Sequence, residues 1–543
     1  MQEIYIIHFD CISEISALFS NTLLYQLSLV SQKINVVYFS QRTFVVEKNK
    51  LKNINKFSNV ERLIFDVNCS KYKNLNNFHN LTFLEISNSG GQLKSKHFTK
   101  LLNLICKSNV TVDYNQLMNL TSLSCSIYDK QIPLALSSMT KLENLIIYSR
   151  YSDGALDFGN NERLTRLSVL CTNYQKSQHI LNMNKLKYLR HLTLENMRND
   201  IVLKINGEHL EYVNISRASI VFTSLSNVKY LRLTDLYSYK VLDGINSYKK
   251  LNILFARYIS NDDFCKDLIT LNLKNLEDLT INHTDYLFNS NNISDLLNLS
   301  SLSVFKNGLN QIGVFDISVL TNLKKLTMSN ITILSFILPP NLKNIECTGL
   351  NCDFESFAHQ IENIEHLENL NLNHFSDVNR NTNILRLNND SIKNLKLLYI
   401  FDSKCVVILE RMPNLEKLDI YRTIVDKFEY CNYNKLTSLN IINCSQCTIM
   451  NDITSLKSLR ITRSYNKNIV FNKLMNLTEL EIDNVKFNSI KHLTNLKVIH
   501  LGKIRRFMRL YSEEKIPSSI EIVYCEGRKK QYALFGNMKV YWN

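Results

Sequence analysis

The chain has 543 residues, 45% hydrophobic and 21% charged, with a formal net charge of +15. Gly (12) and Pro (5) are too scarce to build a flexible linker, and no apolar run approaches the ~20 residues of a membrane helix. The positive excess raises nucleic acid or an acidic membrane surface as partners, against a solubilising lysine-rich surface.

In chain order, the start Met1-Gln-Glu-Ile-Tyr-Ile-Ile-His-Phe-Asp lacks the basic opening and small-residue cleavage site of a signal peptide. The expected location is the cytoplasm, or the nucleus. Leu23, Leu24, Leu27, Val30 and Ile34 then recur at helical spacing after the cap-type residues Ser20, Asn21 and Thr22. This predicts an N-terminal helical cap over residues 1–50. The run Leu-Leu-x-x-Leu-Ser-x-Val-Ser from Leu23 also resembles the second half of an F-box. The usual Leu-Pro opening is missing, and Ile4–Phe9 reads equally well as a strand. The resemblance implies docking to a Skp1-like adaptor.

From Val60 onward a signature L-x-x-L-x-apolar returns about 22 times, in steps of 18 to 28 residues, the last copy starting at Ile520. Asn80-Leu-Thr-Phe-Leu-Glu-Ile-Ser and Asn414-Leu-Glu-Lys-Leu-Asp-Ile-Tyr show it plainly. Small units that bury apolar edges only against their neighbours repeat in this way. The fourth and sixth positions are apolar while the third, fifth and seventh mostly are not. Period two of this kind marks a strand with one buried face. A further apolar residue often stands three before the copy, as at Leu117, Met139, Leu225 and Met412, which suits a tight turn or short helix. One register is ambiguous, since Leu268-Ile-Thr-Leu-Asn-Leu also fits, but spacing favours Leu276.

The pattern resembles the leucine-rich repeat family, over residues 60–525. The resemblance implies an α/β repeat solenoid, an arc with one continuous parallel β-sheet on its concave side and short helices or turns outside. It also implies that a partner binds that sheet. The expected organisation is a cap over 1–50, the solenoid over 51–525 and an aromatic C-terminal cap over 526–543 that holds the single Trp. The family often places Asn at the ninth position; here that position is mainly apolar, as at Leu236, Ile331 and Leu350. A regular amide ladder is therefore not expected. Asn-x-Ser/Thr triplets at Asn80, Asn119, Asn298 and Asn476 are by-products of the repeat.

Thirteen cysteines do not read as disulfides, because Cys106, Cys125, Cys347 and Cys525 fall on the inward sixth position as small apolar residues. The expectation is a reduced, intracellular protein. Cys444-Ser-Gln-Cys447 is a lone C-x-x-C, with Cys444 on the inward ninth position, and it reads as structural rather than as a zinc ligand. No phosphate loop, paired metal-binding histidines or catalytic motif stands out. No metal, no cofactor and no enzymatic activity are expected.

Outward strand positions carry eight bases against ten acids, so the positive excess lies on the loops and outer side. Nucleic acid is disfavoured on the inner sheet. Two outward aromatic patches are the candidate sites: Tyr212, Tyr230 and Phe255 on successive copies, and Leu397, Tyr399, Phe401 and Tyr421 on two more. Exposed aromatics on a rigid sheet make interface hot spots, or else pack on one another across strands. Glu479, Glu481 and Asp483 form an acidic strand that Arg460 offsets. The expected function is a non-catalytic scaffold for another protein. The alternative is an F-box-type substrate receptor of an SCF ubiquitin ligase.

Overall fold

The computed structural model describes residues 43–46, 61–65 and 78–86, then the turn and inner strand of each later repeat, with unbroken runs over 110–127, 202–236, 311–377 and 412–427, and finally 539–542. Of the helical cap expected over residues 1–50 only Thr43–Val46 is described, and it is a strand; the helical spacing from Leu23, the F-box-like run and Cys447 lie outside the described residues.

Each of the 22 copies forms an inner strand that begins two residues after its first apolar residue. Leu395 precedes Leu397–Phe401, Leu415 precedes Lys417–Tyr421, and Leu477 precedes Glu479–Asp483. The strand Asp278–Asn282 selects Leu276 over Leu268 as the start of its copy. Burial alternates along these strands, with the fourth and sixth residues of the copy inside. Leu398, Leu418, Leu439, Leu459 and Leu480 stand in register and are fully buried.

The chain divides into two compact units. One holds Met1–Leu251 with Tyr258–Phe264; the other holds Asn252–Arg257 with Cys265–Asn543. In the first, a parallel ladder runs from Thr43–Val46 through Arg62–Phe65 and Phe83–Ile86 to Tyr230–Thr234. In the second, a parallel ladder runs from Ile253–Arg257 to Ile522–Glu526, and Lys539–Trp542 adds one strand more.

The residue three before most copies closes a tight turn. Leu120, Leu415 and Leu477 donate their backbone N–H to the carbonyls of Leu117, Met412 and Leu474 at 3.1–3.3 Å. The turn puts that residue in the core, where Met139 and Leu225 are also fully buried. The outer side adds short parallel strands that the apolar period does not reveal. Ser219–Phe222 pairs with Val202–Ile205, Thr332–Ile337 with Gln311–Asp316, and Val406–Leu409 with Ile384–Leu387. These segments are rich in Val, Ile and Phe, which favour extended backbone. The α-helix Phe354–Glu362 is described over its whole length, in the 25-residue step between Leu342 and Leu367. The Asp353 carboxylate caps it by accepting from the Glu355 N–H, and Phe354, Phe357 and Ile361 face the core. Rings of Phe315, Phe336, Phe357 and Phe375 follow one another there at centroid distances of 5.1–6.3 Å.

An amide ladder does exist, at another position than the ninth. Asn stands immediately before the first apolar residue of many copies, and its Nδ2 donates to a backbone carbonyl of the preceding repeat. Asn119, Asn227, Asn298, Asn341, Asn414, Asn476 and Asn495 all do so at 2.6–2.9 Å. The amides of three Asn-x-Ser/Thr triplets are thereby engaged. The ninth position is inward, as expected, with Leu236, Ile331, Leu350, Phe375 and Cys444 buried. Cys106, Cys125, Cys171, Cys347, Cys352 and Cys444 are buried. Burial pushes the Cys125 thiol up to about 12, and such a thiol carries little of the reactive thiolate.

Candidate binding surface on the inner sheet

The outward side chains of the inner strands are the third, fifth and seventh of each copy. All seven residues of the two aromatic patches lie half-buried on this face. In the first unit, Tyr212 and Tyr230 are in register on adjoining strands, their rings stacked at 4.4 Å and 4°. His191 extends the stack at 5.9 Å. Burial and the neighbouring phenol raise the Tyr212 pKa, while burial and the Arg166 charge lower that of His191. The two tyrosines thus spend a face on each other and present ring edges and hydroxyls. His191 belongs to the stack although it is no part of the aromatic pattern in the sequence; its third position in the preceding copy is the signal that places it there. Phe255 does not join them in one unit. It lies on Ile253–Arg257 in the second, opposite Thr280.

In that second unit the other patch is brought together. Register sets Leu397 beside Lys417, Tyr399 beside Asp419 and Phe401 beside Tyr421. The Tyr399 and Phe401 rings lie 6.4 Å apart, and those of Phe401 and Tyr421 6.1 Å apart. Cations cover both ends: Lys417 Nζ stands 5.2 Å from the Tyr399 ring, and the Arg422 guanidinium 5.0 Å from that of Tyr421. Burial works against the Lys417 charge, but its 3.2 Å contact with Asp419 outweighs that and raises its pKa.

A second device borders this face. The eighth residue of many copies, just past the strand, has φ near +50°: Asn196, Arg217, Asn330, His374, Asp402, Arg422, Asn443 and Arg463. In each of these eight the N–H donates to the final carbonyl of the adjoining strand, as Asp402 to Tyr421 (2.7 Å), Arg422 to Ile442 (2.9 Å) and Asn443 to Thr462 (2.8 Å). That bond fixes the turn and sets a column of polar side chains along the sheet's edge. His374 and Arg422 both meet the Asp402 carboxylate, at 3.4 and 3.7 Å.

Beside the aromatic patch lies a polar concavity of about 410 Å³, with Tyr421 at one end and Tyr524 at the other. Arg422, Asn443 and Arg463 form one side, and Arg460, Glu481 and His500 also line it. Arg460 Nε meets Glu481 at 3.0 Å and Arg463 Nε meets Asp483 at 3.7 Å. The acidic strand is thus flanked by two arginines, one of which sequence reading identified. Gly502 makes room for the Asp483 carboxylate, since a Cβ there would come within 2.1 Å of it. His500 lies 3.5 Å from Glu479 and stacks on Tyr524 at 4.3 Å.

Among the described residues no cluster of His, Cys, Asp and Glu could hold a metal ion, and no helix is long and apolar enough to cross a membrane.

No family model matches the sequence, and no curated protein does. Among solved structures, the circular leucine-rich-repeat protein CroV588 is similar with a TM-score of 0.51 and 16% identity, over 82% of this chain and 73% of that one. The likeness establishes the leucine-rich-repeat solenoid fold. The mouse RP105/MD-1 complex matches at 15% identity and a TM-score of 0.44, over 93% of this chain and 86% of that one. The TLR13–ssRNA13 complex matches at 14% and 0.38, over 86% and 85%.

Proposed function

We propose that this chain is a non-catalytic scaffold that binds another protein on its inner sheet, through the patch Leu397, Tyr399, Phe401 and Tyr421. The carrying observation is that four large side chains adjoin there, half-buried, on strands held in register at both ends of the patch. Their rotamers are constrained before a partner arrives, so little ordering entropy is lost on docking. Open access on a sheet suits a protein surface better than a small substrate. The Tyr212–Tyr230–His191 stack offers a second contact area, and Phe255 a third.

The test is a pull-down from cell extract with the full chain and with Tyr399→Ala and Phe401→Ala. The expected outcome is one partner lost from both variants, with circular dichroism unchanged. Equal recovery of every bound protein by the two variants would move the interface elsewhere. A finer reading, recruitment of a Skp1-like adaptor through residues 1–50, rests on the run from Leu23 to Ser31. It calls for recovery of a Skp1-like protein and a cullin that is lost when residues 1–50 are removed.

A further inference from the structure

We propose that the polar concavity beside Tyr421 is a receptor for a carboxylate-bearing segment of the partner, an Asp or Glu flanked by an aromatic or aliphatic residue. The inference rests on the reading that this inner sheet is the binding face.

Two arginines on one strand and its following turn supply the chemistry. Arg460 and Arg463 each meet an acid through Nε, at 3.0 and 3.7 Å. A guanidinium has five donors, and it holds a carboxylate best with two parallel bonds. Pairing through Nε leaves the donors of the two terminal nitrogens for a ligand. Both side chains line the concavity, and Arg463 is 72% exposed. Glu481 anchors the Arg460 guanidinium within hydrogen-bond distance, and Asp483 holds Arg463 nearby by charge. Asp483 is itself seated in the space that Gly502 leaves.

The same acids choose between anions. A dianionic phosphate would meet the repulsion of Glu481 and Asp483 twice over, whereas a single carboxylate balances one uncommitted guanidinium edge. Tyr421, under Arg422, and Tyr524, stacked between His500 and Tyr541, offer ring edges at the two ends, and Phe401 continues the apolar surface from Tyr421. A side chain on either side of the carboxylate would find an apolar contact there. The net charge of +15 favours encounter with an acidic partner over a basic one.

The experiment is a selection of displayed random peptides against the full chain, followed by fluorescence anisotropy titration of the recovered peptides. Recovered peptides are expected to carry Asp or Glu next to an aromatic or aliphatic residue and to weaken with added salt. Exchange of that acid for its amide, or Arg460→Gln with Arg463→Gln in the protein, is expected to weaken binding by at least about tenfold. Arg460→Lys keeps the charge and the fold but loses the planar fork, and should also weaken it. Peptides that need Tyr399 yet ignore both arginines and carry no acid would overturn the inference and leave the binding face standing. Peptides indifferent to Tyr399 as well, or an empty selection, would bring down both. Arginine-dependent binding of a single-stranded oligouridylate, with acidic peptides inert, would overturn the carboxylate in favour of phosphate.

Discussion

At the scale of the residue, the inward leucines carry most of the stability. Leu418 and Leu480 are fully buried between like residues of the adjoining repeats. Leu480→Ala should cost roughly 2–5 kcal/mol, because the strands on either side cannot collapse into the space. Denaturant unfolding measures this, and a loss under ~1 kcal/mol would contradict the inward placement. Asp278 makes a pH-dependent case. Burial raises its pKa above 3.8, although Lys325 and the Ser301 hydrogen bond act the other way. A carboxyl whose folded pKa lies above its unfolded value costs stability while ionised, and the cost is relieved as pH falls through the folded pKa. Asp278→Asn should therefore melt higher than the parent at pH 7 and lose that advantage in acid. A lower melting point at pH 7 would mean that the Lys325 attraction prevails.

At the scale of the element, many repeats are strands closed by one or both of two devices. Where Asn holds that position it ties its turn to the one before, so Asn414→Ala removes the 2.7 Å bond to the Lys393 carbonyl. The expected loss is about 1 kcal/mol, well under that for a core leucine. Past the strand, the eighth position demands a left-handed backbone. Asn and Asp visit that region readily, and Gly does so without cost. Gly349 has φ +65°, and a Cβ there would approach Asn330 Oδ1 to 2.4 Å. Gly349→Ala should cost about 1–2 kcal/mol from the backbone alone. An unchanged melting temperature would show that Asn330 moves aside and that the turn tolerates the strain.

At the scale of the molecule, contacts run between neighbouring repeats, so damage should spread along the array rather than through the whole chain. Hydrogen exchange in Leu480→Ala should rise first in Glu479–Asp483 and in its partners Ser458–Thr462 and Val498–Lys503. The first compact unit, which shares none of these strands, should keep its protection. Uniform loss of protection over both units would mean that they unfold as one. The two-unit division also bears on the sites. Tyr212 with Tyr230 belongs to one unit and the Leu397–Tyr421 patch to the other, so a partner that needs only one should tolerate changes in the other.

The strands were legible from the sequence because alternate burial is a local property. An apolar residue two before each strand and two more inside it suffice to place it, and every inner strand of the repeats begins where that period says. The amide ladder and the outer strands were not legible, since Asn before Leu and short Val-Ile-Phe runs acquire meaning only when the adjoining repeat supplies a carbonyl or a partner strand. The same holds for the surface. Sequence named Leu397, Tyr399, Phe401 and Tyr421 as outward, but their meeting depends on register between strands some 20 residues apart. The concavity by Arg460 and Arg463 was less visible still. It exists because a left-handed turn sets Arg463 at the sheet's edge and because Gly502, two strands away from Arg460, omits a side chain where Asp483 must sit. Periodicity determines which face a residue takes; only the packed register decides which residues share it.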